Sequence, residues 1–316
     1  MGRILITGGA GFIGSAFARY AHNRGLKVVI LDNLSSGRKS TFDELTGLGI
    51  CCVEGDIRDS HLLADVLNDC HSVVHLAAKV SVPDSIADPE GTMDVNVNGT
   101  QTLIDECIKG NIRRFVLASS AAVYGDNQSL PLKEINVGTV LSPYAESKLI
   151  NEEQLNQLHS IDCQTFALRF FNVYGNGQHT DSGYSAVIPA FVKQMSDRKP
   201  PILFGNGMQT RDFIHVDDVC SAIFACLNYE SNDVNKLIFN VASQQSTSLL
   251  QLIGLINHIL SESSNLSPLE PKFSEIRKGD IVHSLGSIER IRTILNWEPK
   301  LEIYEGLLKL IQQGRD

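Results

Sequence analysis

Tyr144 and Lys148 stand four positions apart in SPYAESK, residues 142 to 148, with a proline before the tyrosine and good helix formers after it. On a helix, positions i and i+4 share one face, so the phenol and the ammonium project into the same space. A neighbouring cation stabilises phenolate and lowers a tyrosine pKa that starts at about 10. Such a pair can act as a base toward an alcohol. A surface or packing role fits so short a pattern equally well, and other residues must decide between them.

The stretch TGGAGFIG, residues 7 to 14, places Gly8, Gly11 and Gly14 at three-residue spacing around Phe12 and Ile13. The first glycine permits a tight turn, the second lets backbone approach a pyrophosphate, and the third allows a helix to pack closely on a strand. Helix N–H groups then face the phosphates. Asp32 follows 24 residues after Gly8, at the end of the next apolar run. A carboxylate there accepts hydrogen bonds from an adenosine ribose and repels a 2'-phosphate. No arginine follows it directly, so NAD is favoured over NADP. Asp56, at the end of CCVEGD, either faces the adenine or caps a loop. Ala77 and Ala78 in HLAAKVSVPDS either open the backbone to a flat nucleotide or are simply small core residues.

These residues need a scaffold, and the apolar runs supply it. RILITG (3 to 8), a helical pattern and KVVILD (27 to 32) form one βαβ unit. GICCVEGD (49 to 56), SVVHLAA (72 to 78), RFVLASS (114 to 120) and CQTFALRFFNVYG (163 to 175) read as further strands. They alternate with helical segments at 59 to 69, 95 to 110 and 143 to 159, which predicts an α/β fold with a Rossmann-type doubly wound parallel sheet. Beyond residue 172 the pattern loosens. A polar loop leads to a helical AVIPAFVKQMSD, then PPILFGNGMQTRDFIHVDDV reads as strand, turn and strand, and KLIFNVAS as another strand. Helices are expected at 248 to 260, 287 to 295 and 303 to 313. The expected division is a dinucleotide-binding domain over 1–171 that also receives segments near 212–242, and a smaller carboxy-terminal α/β substrate lobe from 172–211 and 243–316.

The 316 residues, 43% hydrophobic and 20% charged, suffice for a sizeable core. No run is apolar and long enough to span a bilayer, and the first residues lead straight into a strand, so neither an anchor nor a signal peptide is expected. Seven cysteines without CxxC suit reduced thiols in a cytoplasmic protein. Nine histidines without a ligand cluster give no support for a metal site. A net charge of -9 argues against nucleic acid and anionic membranes as partners.

In order, the glycine turn, the acidic strand end, LAA, SSAAVYG, SPYAESK and RDFIHVDDV resemble the extended short-chain dehydrogenase/reductase family, especially its nucleotide-sugar epimerases, over nearly the whole chain. The resemblance implies that Tyr144 is the catalytic base, that Lys148 tunes it and holds the nicotinamide ribose, and that Ser120 hydrogen-bonds the sugar hydroxyl. NAD is the implied cofactor. Its implied contacts also include Asn33, Ser35, Ser36 and Gly37 after Asp32, Ile57 after Asp56, Leu76 before Ala77, and Phe171. The family's 4,6-dehydratases resemble one another in an acidic residue directly after the catalytic Ser/Thr, whereas Ala121 and Ala122 follow Ser120 here. The implied reaction is therefore 4-epimerization: hydride out, rotation of the 4-keto sugar, hydride back.

For the substrate, a UDP-sugar, the resemblance implies Arg211 and Arg277 on the diphosphate, and Asn172 and Asp280 on phosphate, sugar or uridine groups. Val187, Leu203 and Phe204 belong to the same implied set, with Phe204 lining a uracil pocket or the core. Ser81 is an implied sugar or acetamido contact, although Val80 stands where the N-acetylhexosamine branch more often has glycine. Ser284 lies four residues after Asp280, where the UDP-hexose 4-epimerases resemble one another in placing a residue near the sugar C2 substituent. Serine leaves room for an N-acetyl group, which points to UDP-N-acetylglucosamine. UDP-glucose or UDP-glucuronate 4-epimerization and a non-catalytic NAD-binding scaffold are the competing readings. Two amphipathic segments, 95 to 110 and 145 to 160, either pair with a second subunit as a four-helix bundle, as is common in the family, or are buried within one chain.

Overall fold

The computed structural model describes residues 2–178, 187–231, 235–264, 266–275 and 282–313. The apolar runs of the first half become β1 (Arg3–Thr7), β2 (Val28–Asp32), β3 (Cys51–Glu54), β4 (Cys70–His75), β5 (Arg114–Ser120) and β6 (Gln164–Phe170). The second half adds β7 (Asn172–Tyr174), β8 (Ile202–Phe204), β9 (Thr210–Arg211), β10 (Phe213–His215), β11 (Lys236–Val241), β12 (Thr247–Ser248) and β13 (Lys272–Ser274). Helices α1 (Phe12–His22), α2 (Lys39–Gly47), α3 (Ser60–Leu67), α4 (Val82–Ala87), α5 (Pro89–Met93), α6 (Gly99–Lys109) and α7 (Pro143–Gln154) precede β6. The remaining helices are α8 (Val187–Ser196), α9 (Val216–Asn228), α10 (Leu249–Ser264), α11 (Glu289–Leu295) and α12 (Ile303–Gln313).

Seven strands form one sheet in the order β11-β6-β5-β4-β1-β2-β3, and every pair in it is parallel. All five residues of β2 and all seven of β6 are buried, which is why their sequences are apolar without strict alternation. On one face, Phe17 and Ala18 of α1 pack with Val219 and Ile223 of α9. On the other, Leu63 of α3 packs with Leu103, Ile104 and Cys107 of α6. The chain leaves β1 toward β2 on one side, and β4 lies on its other side. This reversal opens a crevice outside the carboxyl ends of β1 and β4, where ligands bind in sheets of this kind. A separate core joins Phe191 and Met195 of α8, Leu203, Phe213, and Leu252 and Ile256 of α10.

Three segments depart from the sequence expectation. The run 163 to 175 does not form a single strand, because β6 ends at Phe170 and β7 pairs with β10 instead. The handover follows the backbone bonds: Phe171 N donates to Val241 O, and Asn172 N donates to Asp212 O. The helix expected to continue to 159 leaves α geometry at Gln154 and finishes as a 3-10 turn over Leu155–Ile161. Ahead of α6, Asp94–Asn98 is a π-helical turn. Asn96 occupies it, its side chain bonded to both backbone groups of Lys79 and to Ser147 Oγ. Such side-chain insertions are where π turns arise, often beside functional sites.

Candidate active site

The glycine turn lies at the switch point. Gly8 has φ +68, and a Cβ there would stand 2.7 Å from Ala77 N, so β1 and β4 converge on a space only hydrogen fits. A Cβ on Gly14 would fall on the carbonyl of Gly8. Gly11 is the N-cap of α1 and no side chain caps that end, which leaves the first-turn amides open to an anion. Asp32 is 8% exposed. Its Oδ2 accepts from Ala10 N at 2.9 Å and its Oδ1 from Leu34 N at 2.8 Å. Each oxygen keeps a second lone pair for a ribose hydroxyl. Gly37 preserves that space, since its Cβ would come within 2.9 Å of Asp32 Oδ1. These residues fit a dinucleotide: a tight backbone cradle, an uncapped helix end and an oriented carboxylate.

Asp56 and the loop after β2 are tied together by a residue that sequence reasoning missed. Arg58 Nε and Nη2 donate to the two oxygens of Asp56 at 2.8 Å each, and Nη1 reaches Asp94 at 2.6 Å. Asn33 Nδ2 donates to Asp56 Oδ2 at 2.8 Å. The hydrogen bonds from Arg58 hold the Asp56 carboxyl well below the usual carboxylate range. Asn33 in turn accepts from Ser35 N at 3.0 Å, so Asp56 braces the loop after β2. Ser36 is exposed on that loop. Ile57 is buried and its side chain lies over Gly99 of α6. Phe12, Ile13 and Leu76 are partly buried against the sheet core.

Helix α7 carries Tyr144 and Lys148. Ser142 caps it, accepting from Ala145 N at 3.2 Å, and Pro143 fills the first turn, where no N–H is needed. The Tyr144 phenol lies close enough to Ser120, at the end of β5, for that hydroxyl to act on its pKa, and Ser120 Oγ accepts from Ala122 N at 3.1 Å. Lys148 is 3% exposed, with Nζ 5.9 Å from the Tyr144 ring centroid. Burial lowers its pKa to about 8, against the opposing pull of Glu152. Burial also raises the Tyr144 phenol above its ordinary value, with Ser120 acting the other way. In the chain alone, desolvation of the phenol therefore outweighs the effect of Ser120.

Ser120, Tyr144, Phe171, Asn172, Arg211 and Ser284 meet at one cavity of about 210 Å³. Six residues of this set lie between positions 120 and 284, so the fold gathers them from distant parts of the chain. Val82, Ala121, Ala122, Tyr124, Gly125, Asn127, Leu132, Phe170 and His283 complete the lining. Of these, Tyr124 had a signal in VYG, whereas Val82, Leu132 and His283 had none. Tyr124 is a second phenol at the wall, but burial pushes its pKa up to about 12, and its hydroxyl is occupied by Asn240 Oδ1 and Arg169 Nη1. Tyr144 is thus the tyrosine that stands beside the serine.

Other sequence candidates lie elsewhere. Ser81 caps α4 by accepting from Asp84 N at 3.2 Å, and its neighbour Val82 lines the cavity instead. Leu203 has no exposed surface and packs in the apolar core with Phe191 and Met195. Val187 opens α8 against the same core, and the carbonyl of Phe204 accepts from Gln209 Nε2 at 2.7 Å. Arg277 and Asp280 lie outside the described residues.

Comparison with known proteins agrees with this geometry. The model of the NAD dependent epimerase/dehydratase family matches residues 4–242. The UDP-glucose 4-epimerase of Halalkalibacterium halodurans is 30% identical over 322 residues, covering 97% of this chain and 93% of the relative. The crystal structure of UDP-glucose 4-epimerase from Thermotoga maritima with UDP-glucose superposes with a TM-score of 0.90 at 30% identity, covering 99% of this chain and 98% of that one. UDP-N-acetylglucosamine 4-epimerase from Methanobrevibacter ruminantium M1, in complex with UDP-N-acetylmuramic acid, gives 0.91 at 33% identity with the same coverage. With its glycine cradle, Asp32 and the Ser120, Tyr144 and Lys148 cluster on a seven-stranded parallel sheet, this chain belongs to the NAD-dependent epimerase/dehydratase family and is an enzyme that uses NAD.

Proposed function

We propose that the chain is a UDP-sugar 4-epimerase whose preferred substrates are UDP-N-acetylglucosamine and its galacto epimer. The observation that carries the reaction class is that Ser120 and Tyr144 line one cavity beside Lys148, with two alanines next in the chain lining the same cavity. NAD held at the glycine turn and Asp32 would supply the hydride acceptor for C4 of the sugar and the donor for its return to the opposite face. Tyr144 accepts the proton of the 4-hydroxyl and gives it back, and Ser120 holds the same oxygen in line. Lys148 supplies positive charge to the phenolate. Elimination of water would need an acid and a base beside the serine, and the methyl groups of Ala121 and Ala122 provide neither.

Arg211 and Asn172 at the cavity support a diphosphate held apart from the reacting sugar, a task suited to a guanidinium fork. Arg277 and Asp280 are proposed as further contacts from the sequence alone. Ser284 supports the N-acetylated sugar: it is 6% exposed at the wall, and its small side chain leaves room beside C2. The relatives named for UDP-glucose favour a second reading, with plain hexoses as substrates. A homodimer through a four-helix bundle of α6 and α7 and a cytoplasmic location belong to the same proposal. A monomer mass by light scattering would remove the dimer.

The test is to incubate the protein with UDP-N-acetylglucosamine, UDP-glucose and UDP-glucuronate and separate the products. A C4 epimer from the N-acetylated sugar is expected. No epimer from any of the three would end the enzymatic reading, and turnover of UDP-glucose alone would replace the substrate.

A further inference from the structure

Behind the cavity lies an ion pair to which the reaction above assigns no task. Arg169 on β6 and Glu152 on α7 are each 2% exposed. Arg169 Nε and Nη2 donate to Glu152 Oε1 and Oε2 at 2.9 and 2.8 Å. Glu152 Oε1 also accepts from Ser119 Oγ at 2.5 Å. Arg169 Nη1 donates to Tyr124 OH at 3.2 Å and to Glu134 O at 2.9 Å. Asn240 of β11 accepts from Tyr124 OH through its side chain and donates its backbone N–H to Glu134 Oε1 at 2.9 Å. Strands β5, β6 and β11, helix α7 and the loop that carries Leu132 are therefore joined at one pair of charges.

Stability alone is a poor account of such a pair. Desolvating two charges offsets most of their attraction, and well-packed apolar residues often fill the same space as stably. Its position suggests more. Glu152 lies four residues after Lys148 and eight after Tyr144, on the same stripe of α7. Ser119 immediately precedes Ser120, and Tyr124 lines the cavity. The end of β5 is consequently fastened to this stripe through Ser119 and Glu152, one residue before Ser120.

We propose that Glu152 and Arg169 are the positioning residues of this active site: together they lock the Ser119–Ser120 strand end to the Tyr144–Lys148 stripe and fix the Tyr124 hydroxyl in the cavity wall, while the carboxylate cancels the arginine's charge so that Lys148 serves as the working cation. The proposal rests on the 4-epimerase reading. The ionisable groups facing Lys148 are Tyr144 and Glu152 on α7, His75 on β4, and Arg169 of β6 behind Glu152. His75 is uncharged, since burial holds its pKa down at about 3. Glu152 is the group that favours the ammonium against burial. Without its charge, Arg169 stands uncompensated and the proton leaves Lys148 more readily.

The NAD-loaded protein with Glu152→Gln, which keeps the side chain's shape and one acceptor, tests this. The expected result is a fall in kcat of about 10²-fold with little change in KM, as for a displaced catalytic group, and an alkaline limb of kcat moved to lower pH. Glu152→Gln combined with Arg169→Met removes both charges and should return the limb toward its original pH while kcat stays low. Ser119→Ala leaves the ion pair whole, and should lower kcat without moving the limb. Should the glutamine variant not fold, the other two decide. A wild-type kcat and limb in the variants that fold, with only melting temperature reduced, would overturn the proposal. Wild type assayed alongside separates the two claims. If it forms no C4 epimer, the epimerase reading itself fails; if it turns over and the other variants behave as it does, only the positioning role fails.

Discussion

Gly8 and Ala77 approach so closely across the crevice between β1 and β4 that a Cβ on Gly8 would lie 2.7 Å from the Ala77 backbone nitrogen. Both partners are backbone, so neither yields easily, and Gly8 also holds φ +68. Gly8→Ala is expected to cost about 1 to 3 kcal/mol through strain and clash and to abolish NAD binding. Chemical denaturation and cofactor fluorescence measure the two effects. Tight NAD binding in this variant would contradict the cradle described here.

The Tyr144 phenol is held above its ordinary pKa by burial. A cation stabilises phenolate, so loading with NAD+ should move the phenolate transition to lower pH. Ultraviolet difference titration of the protein against Tyr144→Phe, with and without cofactor, reads this directly. Tyr144→Phe itself should lose about 10²- to 10⁴-fold in kcat, the usual contribution of a general base. An unchanged or rising phenol pKa on loading would leave the base without its activation.

Lys148 carries a pKa of about 8 in the fold, lowered from its ordinary value by burial. Between these values the unfolded chain binds more protons than the folded one, so stability from this group is lost as pH falls through about 8 and gained as it rises toward the unfolded pKa. Lys148→Met should flatten that rise, and add on the order of 1 to 3 kcal/mol at pH 7. Turnover should disappear at the same time. A melting temperature unchanged across the pH range would show that the lysine is not desolvated.

Asp212 is fully buried and accepts four hydrogen bonds: Oδ1 from Ser243 N and Oγ, Oδ2 from Gln244 N and Gly286 N. Burial nevertheless raises its pKa to about 6. Asp212→Asn puts an amide against N–H donors and is expected to cost about 1 to 3 kcal/mol. The carboxyl's folded pKa is raised above its unfolded value, so wild-type stability falls as pH rises toward about 6 and the difference from the variant is smallest above that pH. It should widen below that pH, where the folded wild-type carboxyl holds a proton that the unfolded chain gives up. Urea denaturation at pH 5 and 8 checks both the size and the direction.

Ser284→Tyr fills the cavity wall with a ring. It should suppress turnover of the N-acetylated sugar at least about tenfold more than that of UDP-glucose, the size of effect a shape-filled pocket supports. Equal losses for the two sugars would remove Ser284 from the specificity role.

Local patterns were legible in the sequence because their causes are local. The spacing of Gly8, Gly11 and Gly14 and the carboxylate 24 residues later determine a dinucleotide turn by steric and charge rules that need no tertiary information. The i to i+4 spacing likewise aligns Tyr144 with Lys148 wherever the helix lies. Alternating apolar runs determined a parallel sheet, since strands buried on both faces must be covered by helices. What depends on long-range contact was decided only by the fold. The break after Phe170 came from backbone partners at Val241 and Asp212, far along the chain. Arg58, Leu132 and His283 reach their places through packing, and no spacing announces them. The sign of the Tyr144 shift was also tertiary, because it depends on how much water the neighbouring elements exclude. The same is true of Glu152 and Arg169, which no spacing in the sequence links and which become a buried pair only when α7 lies across β5 and β6.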